Sequence, residues 1–273
     1  MSAGGLRLRV AALPENLAVV RQAVAGFAEG AGFDESAISD LKTITTEASM
    51  NAVVHAYSDG EPGPIEVTAE ARTDDLEVVV RDMGTGFQPR PMEPGEDSLR
   101  IGLPLIAALS DGFEISGGPG GGTEVRMRLN YERSSDGNGP DERIAAPETV
   151  GTTMAIPPGE LARPVLSRVI GALATRADFS IDRLSDTVLL SDAVSTHAAS
   201  DFHDGMAQIT ILDGDGTLDV LIGPLVKGAS QRMLEGIELP GGNSLRKLAS
   251  EVEISERPDE EGNGEFLRFV IEP

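Results

Sequence analysis

Apolar and polar residues alternate from Leu6 to Ala12, the period of a strand with one covered face. After Pro14 the period lengthens, and Leu17, Val20, Val24 and Phe27 fall at helical spacing between Glu15 and about Glu29. Gly30 to Gly32 end that helix, and Asp34 stands where it can cap a second one running to about Tyr57, with Leu41, Ile44, Ala48 and Ala52 as its apolar positions. Ile65 to Ala71 and Leu76 to Arg81 are strand-like and joined by a turn at Thr73, Asp74 and Asp75. A glycine- and proline-rich loop, Gly84 to Gly95, precedes a short helix from about Leu103 to Leu109 and strands at Gly112 to Ser116 and Thr123 to Asn130. This order predicts an α+β fold, a two-layer sandwich with helices on one face of a mixed sheet.

Residues 131–149 carry no hydrophobic period and are rich in Ser, Asp, Gly, Asn and Pro, the composition of a linker between domains at 1–130 and 150–273. The second half echoes the first. Ala31 to Asp40 aligns without a gap on Ala177 to Asp186, Leu105 to Ser116 on Leu245 to Ser255 with one deletion, and Glu124 to Arg128 on Glu265 to Phe269. Three echoes in chain order predict a tandemly duplicated fold.

Two domains also suit the length of 273 residues. The net charge of −23, shared by both halves, argues against direct nucleic-acid binding or adhesion to an anionic membrane, because both need a basic face. The chain has no cysteine, which excludes disulfides and thiolate chemistry and suits a reducing cytoplasm. It lacks the apolar core of a signal peptide and any long apolar run, so a cytoplasmic protein is expected.

Chemistry concentrates in four places. Glu47, Asn51 and His55 share one face of the second helix, a stripe that is either solvated or turned to a ligand. Asp82-Met-Gly84-Thr-Gly86 follows an apolar strand, Gly102-Leu103 opens a helix whose bare amides can hold phosphate oxygens, and Gly118 to Thr123 is a glycine-rich hairpin loop. Each alone also reads as ordinary structure: a strand exit, a glycine before a helix, a flexible turn.

In that order the four motifs resemble the Bergerat-type, histidine kinase-like ATPase fold of the GHKL superfamily, over about residues 6–130. The combination of Glu47 to Tyr57, Asp82 to Phe87 and Gly102 to Ile106 is similar to the anti-sigma factor serine kinases of bacterial partner-switching systems. The resemblance implies ATP and Mg2+ as cofactors. It makes Asn51 the magnesium ligand and Asp82 the acceptor for the adenine amino group, with Gly84 and Gly86 letting backbone approach the base. Gly102 and Leu103 would sit at the phosphates, Gly122 and Thr123 would close the adenine side, and Glu47 would be the general base for the attacking serine. Arg100 stands where the family often has glycine and is a candidate phosphate contact. His55 is read as structural.

The implied function is an ATP-dependent protein serine kinase and anti-sigma factor, with a sigma factor and an anti-anti-sigma (STAS-type) protein as partners. The alternative is a non-catalytic ATP-binding module that sequesters a protein partner. A histidine kinase fragment fits less well, because no long heptad helix with a phospho-accepting histidine precedes the ATP motifs. The second copy has lost the motifs. In the gapless register Glu47 falls on Ala193 and Asn51 on His197, and a register matching His55 to His197 puts Leu189 and Ala193 there. Its strand exit, Leu218 to Gly228, has bulky Leu225, Val226 and Lys227 in place of Asp-x-Gly-x-Gly. A monomeric pseudo-dimer that binds one ATP is expected.

Overall fold

The computed structural model describes residues 5–57, 61–72, 75–86, 102–118, 120–130, 151–180, 183, 190–214, 216–235, 245–259 and 262–273. The chain divides into two compact units, Met1–Glu148 and Thr149–Pro273. The expected linker at 131–149, Arg100 and Leu189 lie outside the described residues.

The first unit runs β1 (Leu6–Ala11), α1 (Asn16–Gly30), α2 (Glu35–His55), β2 (Pro64–Ala71), β3 (Asp75–Asp82), α3 (Gly102–Leu109), β4 (Gly112–Gly117) and β5 (Thr123–Asn130). Its strands lie in the order β4-β5-β3-β2-β1. Among the described residues the expected mixed sheet is not found, since the strand pairings of this unit, β1 with β2, β2 with β3, β3 with β5 and β4 with β5, are all antiparallel. β3 and β4 do run the same way, but β5 folds back from β4 and inserts between them, so the two parallel strands are never neighbours.

Period-two alternation gives the sheet one apolar face. Leu8, Val67, Val80 and Val125 are paired across four strands and all are buried. Phe27 of α1, Leu41 and Ile44 of α2 and Ile106 of α3 are wholly buried, each contributing about 1.5–3 kcal/mol. Asp34 caps α2 as expected, its Oδ1 accepting from Ala37 N–H at 2.8 Å. The opposite face carries an ion-pair ladder: Glu77 meets Arg72 at 3.0 Å and Arg126 at 2.8 Å, and Glu124 meets Arg81 and Arg126. Among the described residues no helix is long and apolar enough to cross a membrane.

The second unit runs β6 (Thr152–Ile156), α4 (Ala162–Arg176), α5 (190–195), β7 (Ala207–Gly214), β8 (Thr217–Leu225), α6 (Ala229–Glu235), α7 (Leu245–Leu248), β9 (Glu251–Asp259) and β10 (Gly262–Ile271). Its strand order is β6-β7-β8-β10-β9, which is the order of the first unit counted from β1. The turn after α1 also recurs after α4. Ala31, Gly32 and Phe33 donate to Phe27, Glu29 and Ala28, and Ala177, Asp178 and Phe179 donate at the same spacings to Leu173, Thr175 and Ala174. The middle residue has positive φ in both turns, +88° at Gly32 and +63° at Asp178.

One register read from the sequence is corrected. Glu124 was expected to match Glu265, but Asp111 N–H bonds Arg128 O as Ser250 N–H bonds Val270 O, so Thr123 takes the position of Glu265 and Met127 that of Phe269. A slip of one residue would exchange the faces of the strand. It would set buried Met127 against Arg268, which reaches out to Asp219, Glu251 and Glu253.

Candidate functional site

The buried stripe of α2, Leu41, Ile44, Ala48 and Ala52, holds the helix on the core and leaves Glu47 and Asn51 half-buried on another side. His55, at the end of the same stripe, is exposed. Gly102, the buried first residue of α3, meets the first two. A Cβ built on it would lie 2.8 Å from Glu47 Oε2, 3.8 Å from Asn51 Oδ1 and 3.9 Å from Asn51 Nδ2. Glycine at 102 therefore makes the room that the Glu47 carboxylate occupies. It also brings a carboxylate, a carboxamide and the first amides of α3 to one spot. Leu103 lies half-buried in the first turn of α3.

A second group forms at the exit of β3. Asp82 pairs with Ile65, which turns its side chain to the covered face, and it is only 6% exposed. Its Oδ1 accepts from Gly84 N–H at 2.9 Å and Thr123 N–H at 3.2 Å. Among the described residues no hydrogen bond reaches Oδ2, so that oxygen keeps its acceptor capacity for a ligand. Thr123 takes part here through its main-chain amide.

The glycines of this group have a reason inside the protein. A Cβ on Gly84 would meet Ala56 O at 2.1 Å, one on Gly86 would meet Gly118 O at 2.0 Å, and one on Gly122 would meet Asp82 O at 2.1 Å. Backbone packs against backbone at three points, joining the 84–86 loop to the end of α2 and to the 118–122 hairpin.

α2 links the two groups. From Glu47 to Ala56, at about 1.5 Å per residue, is roughly 13 Å along the helix. At its far end Thr85 N–H donates to Ala56 O at 3.0 Å, and Met83 N–H donates to the Tyr57 hydroxyl at 2.9 Å. Burial pushes the Tyr57 hydroxyl pKa up; the Met83 amide opposes that and the nearby Asp82 charge adds to it. Reading the sequence did not assign Tyr57 or Gly63 to the site. The available signal was an aromatic at the end of the helix that carries the stripe, in a chain with only two tyrosines and no tryptophan.

Residues 10–129 match the family profile described as histidine kinase-like ATPase domain. The chain is 36% identical over 123 residues to the serine-protein kinase RsbW of Oceanobacillus iheyensis, covering 41% of this chain and 78% of that one. It is 38% identical over 122 residues to the serine-protein kinase RsbW of Listeria innocua, covering 40% and 78%, and 32% identical over 144 residues to that of Bacillus velezensis, covering 48% and 90%. Among solved structures, the histidine kinase domain of a blue-light activated histidine kinase from Erythrobacter litoralis aligns at 27% identity over 34% of this chain and 47% of that one. The TM-score is 0.29, too low for a comparison of folds.

Proposed function

We propose that this chain, which belongs to the histidine kinase-like ATPase family and within it to the RsbW serine-protein kinases, is an ATP-dependent protein serine kinase and anti-sigma factor. It acts in a bacterial partner-switching system, binds a sigma factor and phosphorylates an anti-anti-sigma protein. The observation that carries the reading is the convergence of Glu47 and Asn51 on Gly102 at the start of α3.

The donor set fits a magnesium nucleotide. Asn51 offers a hard carboxamide oxygen suited to Mg2+, the first amides of α3 suit phosphate oxygens, and Asp82 Oδ2 is open to an exocyclic amino group. Bound MgATP would supply the γ-phosphoryl group and leave as MgADP, with Mg2+ offsetting the charge on the phosphates. Glu47 would orient the acceptor serine and take its proton as the serine oxygen bonds to phosphorus, while Asn51 would hold the Mg2+ and the α3 amides the phosphates. Gly84 and Thr123 keep Asp82 aimed by occupying its other oxygen.

The second unit is proposed to be a degenerate copy of the first. The shared strand order and the recurring turn support duplication. Counted along β8 from Ile222, which matches Val80, Pro224 falls at the position of Asp82, while a bulge in the ladder pairs Glu265, at that of Thr123, with Leu225. Ala193 is wholly buried, and His197 Nδ1 lies 2.8 Å from its carbonyl. Leu225 is likewise buried, and Glu265 accepts from Gly228 N–H at 2.6 Å and Ser230 N–H at 3.2 Å. The proposed pseudo-dimer is tested by light scattering, where a stable homodimer removes it.

Incubation with labelled ATP, magnesium and the co-purifying protein partner, followed by identification of the modified residue, tests the kinase reading. Phosphoserine on the partner is the expected result. ATP binding without transfer to any partner serine would leave the sequestering module in its place.

A further inference from the structure

We infer that Tyr57, with Gly63 beneath its ring, is a positioning residue that sets the adenine-recognising carboxylate and so the base preference of the site. The inference rests on the reading that Asp82 accepts from adenine. Its observations concern a residue outside the catalytic group. The Tyr57 hydroxyl donates to Pro64 O at 2.7 Å and accepts from Met83 N–H at 2.9 Å, bridging the entry of β2 to the exit of β3. The amide it holds belongs to the peptide joining Asp82 to Met83. Fixing that peptide fixes where the Asp82 side chain leaves the strand.

The ring is itself held in place. A Cβ on Gly63 would meet Tyr57 Cε1 at 2.2 Å and Cζ at 2.4 Å, so the phenol fills the space above the glycine. On the same side Thr85 N–H is tied to Ala56 O, and Gly84 lies flat on Ala56. The carboxylate is thus held at two levels. Gly84 and Thr123 fix one oxygen directly, and Tyr57 fixes the backbone from which the side chain springs.

Tyr57→Phe keeps the ring and removes both hydrogen bonds. A lost hydrogen bond of ordinary strength corresponds to up to about a tenfold change in an equilibrium constant. Calorimetry of the full chain with magnesium and either ATP or GTP is expected to show that wild type prefers ATP. In Tyr57→Phe, ATP binding should weaken by about tenfold and GTP binding should barely change, which narrows the preference. Gly63→Ala keeps the hydroxyl and displaces the ring, and is expected to narrow the preference in the same way. Equal loss for both nucleotides would mean general loosening, and unchanged affinities would mean no role; either result overturns the positioning role and leaves the ATP reading intact. A wild type that binds ATP and GTP equally would overturn the Asp82 reading itself, and this inference with it.

Discussion

Replacing Gly102 by alanine puts a methyl carbon 2.8 Å from Glu47 Oε2 and 3.8 Å from Asn51 Oδ1. Ordinary contact begins at 3.4 Å, so the carboxylate has to withdraw by about 0.6 Å. The fold tolerates this, because Glu47 Oε2 ends a flexible side chain that can give way. The chemistry does not. Misplacing a reacting group by about 1 Å costs on the order of 10²-fold, so this shift is expected to lower kcat by on the order of 10-fold to 10²-fold, or about 1.4–2.7 kcal/mol in the barrier. The assay is phosphoryl transfer to the partner serine at saturating ATP, run beside a thermal melt that should show no loss of stability. A double-mutant cycle then separates the mechanism from damage to the phosphate end. In Glu47→Gln the displaced group no longer takes a proton, so adding Gly102→Ala should cost nothing more. Wild-type kcat in the single variant, or additive losses in the double, would refute the argument that glycine is there for the carboxylate.

Glu47→Gln itself should keep ATP and partner binding and lose phosphoryl transfer by on the order of 10²-fold or more in single-turnover kinetics. Asn51→Ala should abolish the magnesium dependence of ATP binding in calorimetry, and an unchanged dependence removes its role as ligand. The full chain should bind one ATP, and a measured stoichiometry of two would revive the second unit as a nucleotide site. Burial pushes the Glu265 carboxyl up, but hydrogen bonds from Gly228 and Ser230 and the charge of Arg232 outweigh it and hold the group below the usual glutamate range. A depressed folded pKa stabilises fully above the unfolded value and is lost as pH falls through the folded one. The urea midpoint of Glu265→Gln should therefore fall below wild type by about 1 kcal/mol equivalent near neutrality, with the gap closing in acid.

Elements governed by periodicity were legible in the sequence. The alternation of Leu6, Leu8 and Val10 and the helical spacing of Leu41, Ile44, Ala48 and Ala52 report burial directly, and Asp34 caps α2 where its type and place indicated. Strand direction was not legible, because the insertion of β5 between β3 and β4 is a matter of which edges meet and leaves no local pattern. The register of β10 slipped for a related reason. Glu124 to Arg128 and Glu265 to Phe269 match by residue type, whereas the sheet sorts residues by face. In the site, motif order pointed to Glu47, Asn51, Asp82 and Gly102. The contacts that tie them together run through Ala56 O, Thr123 N–H and a tyrosine hydroxyl, and main-chain groups carry no residue type to read.

On the proposed duplication, that difference also explains how one architecture keeps its core without its chemistry. Val78 and Val80 of β3 correspond to Val220 and Ile222 of β8, and all four are buried in the middle of their strands, where alternation alone maintains the fold. Asp82 and Thr123 stand at strand ends, where nothing in the ladder requires a carboxylate or a threonine. Pro224 at the first position deletes a main-chain donor. Glu265 at the second turns a carboxylate onto the amides of Gly228 and Ser230, so the second unit answers with its own side chain the demand for an anion at the start of α6. Core and site are thus carried by different residues of the same strands, so the proposed copy keeps the layers without the chemistry.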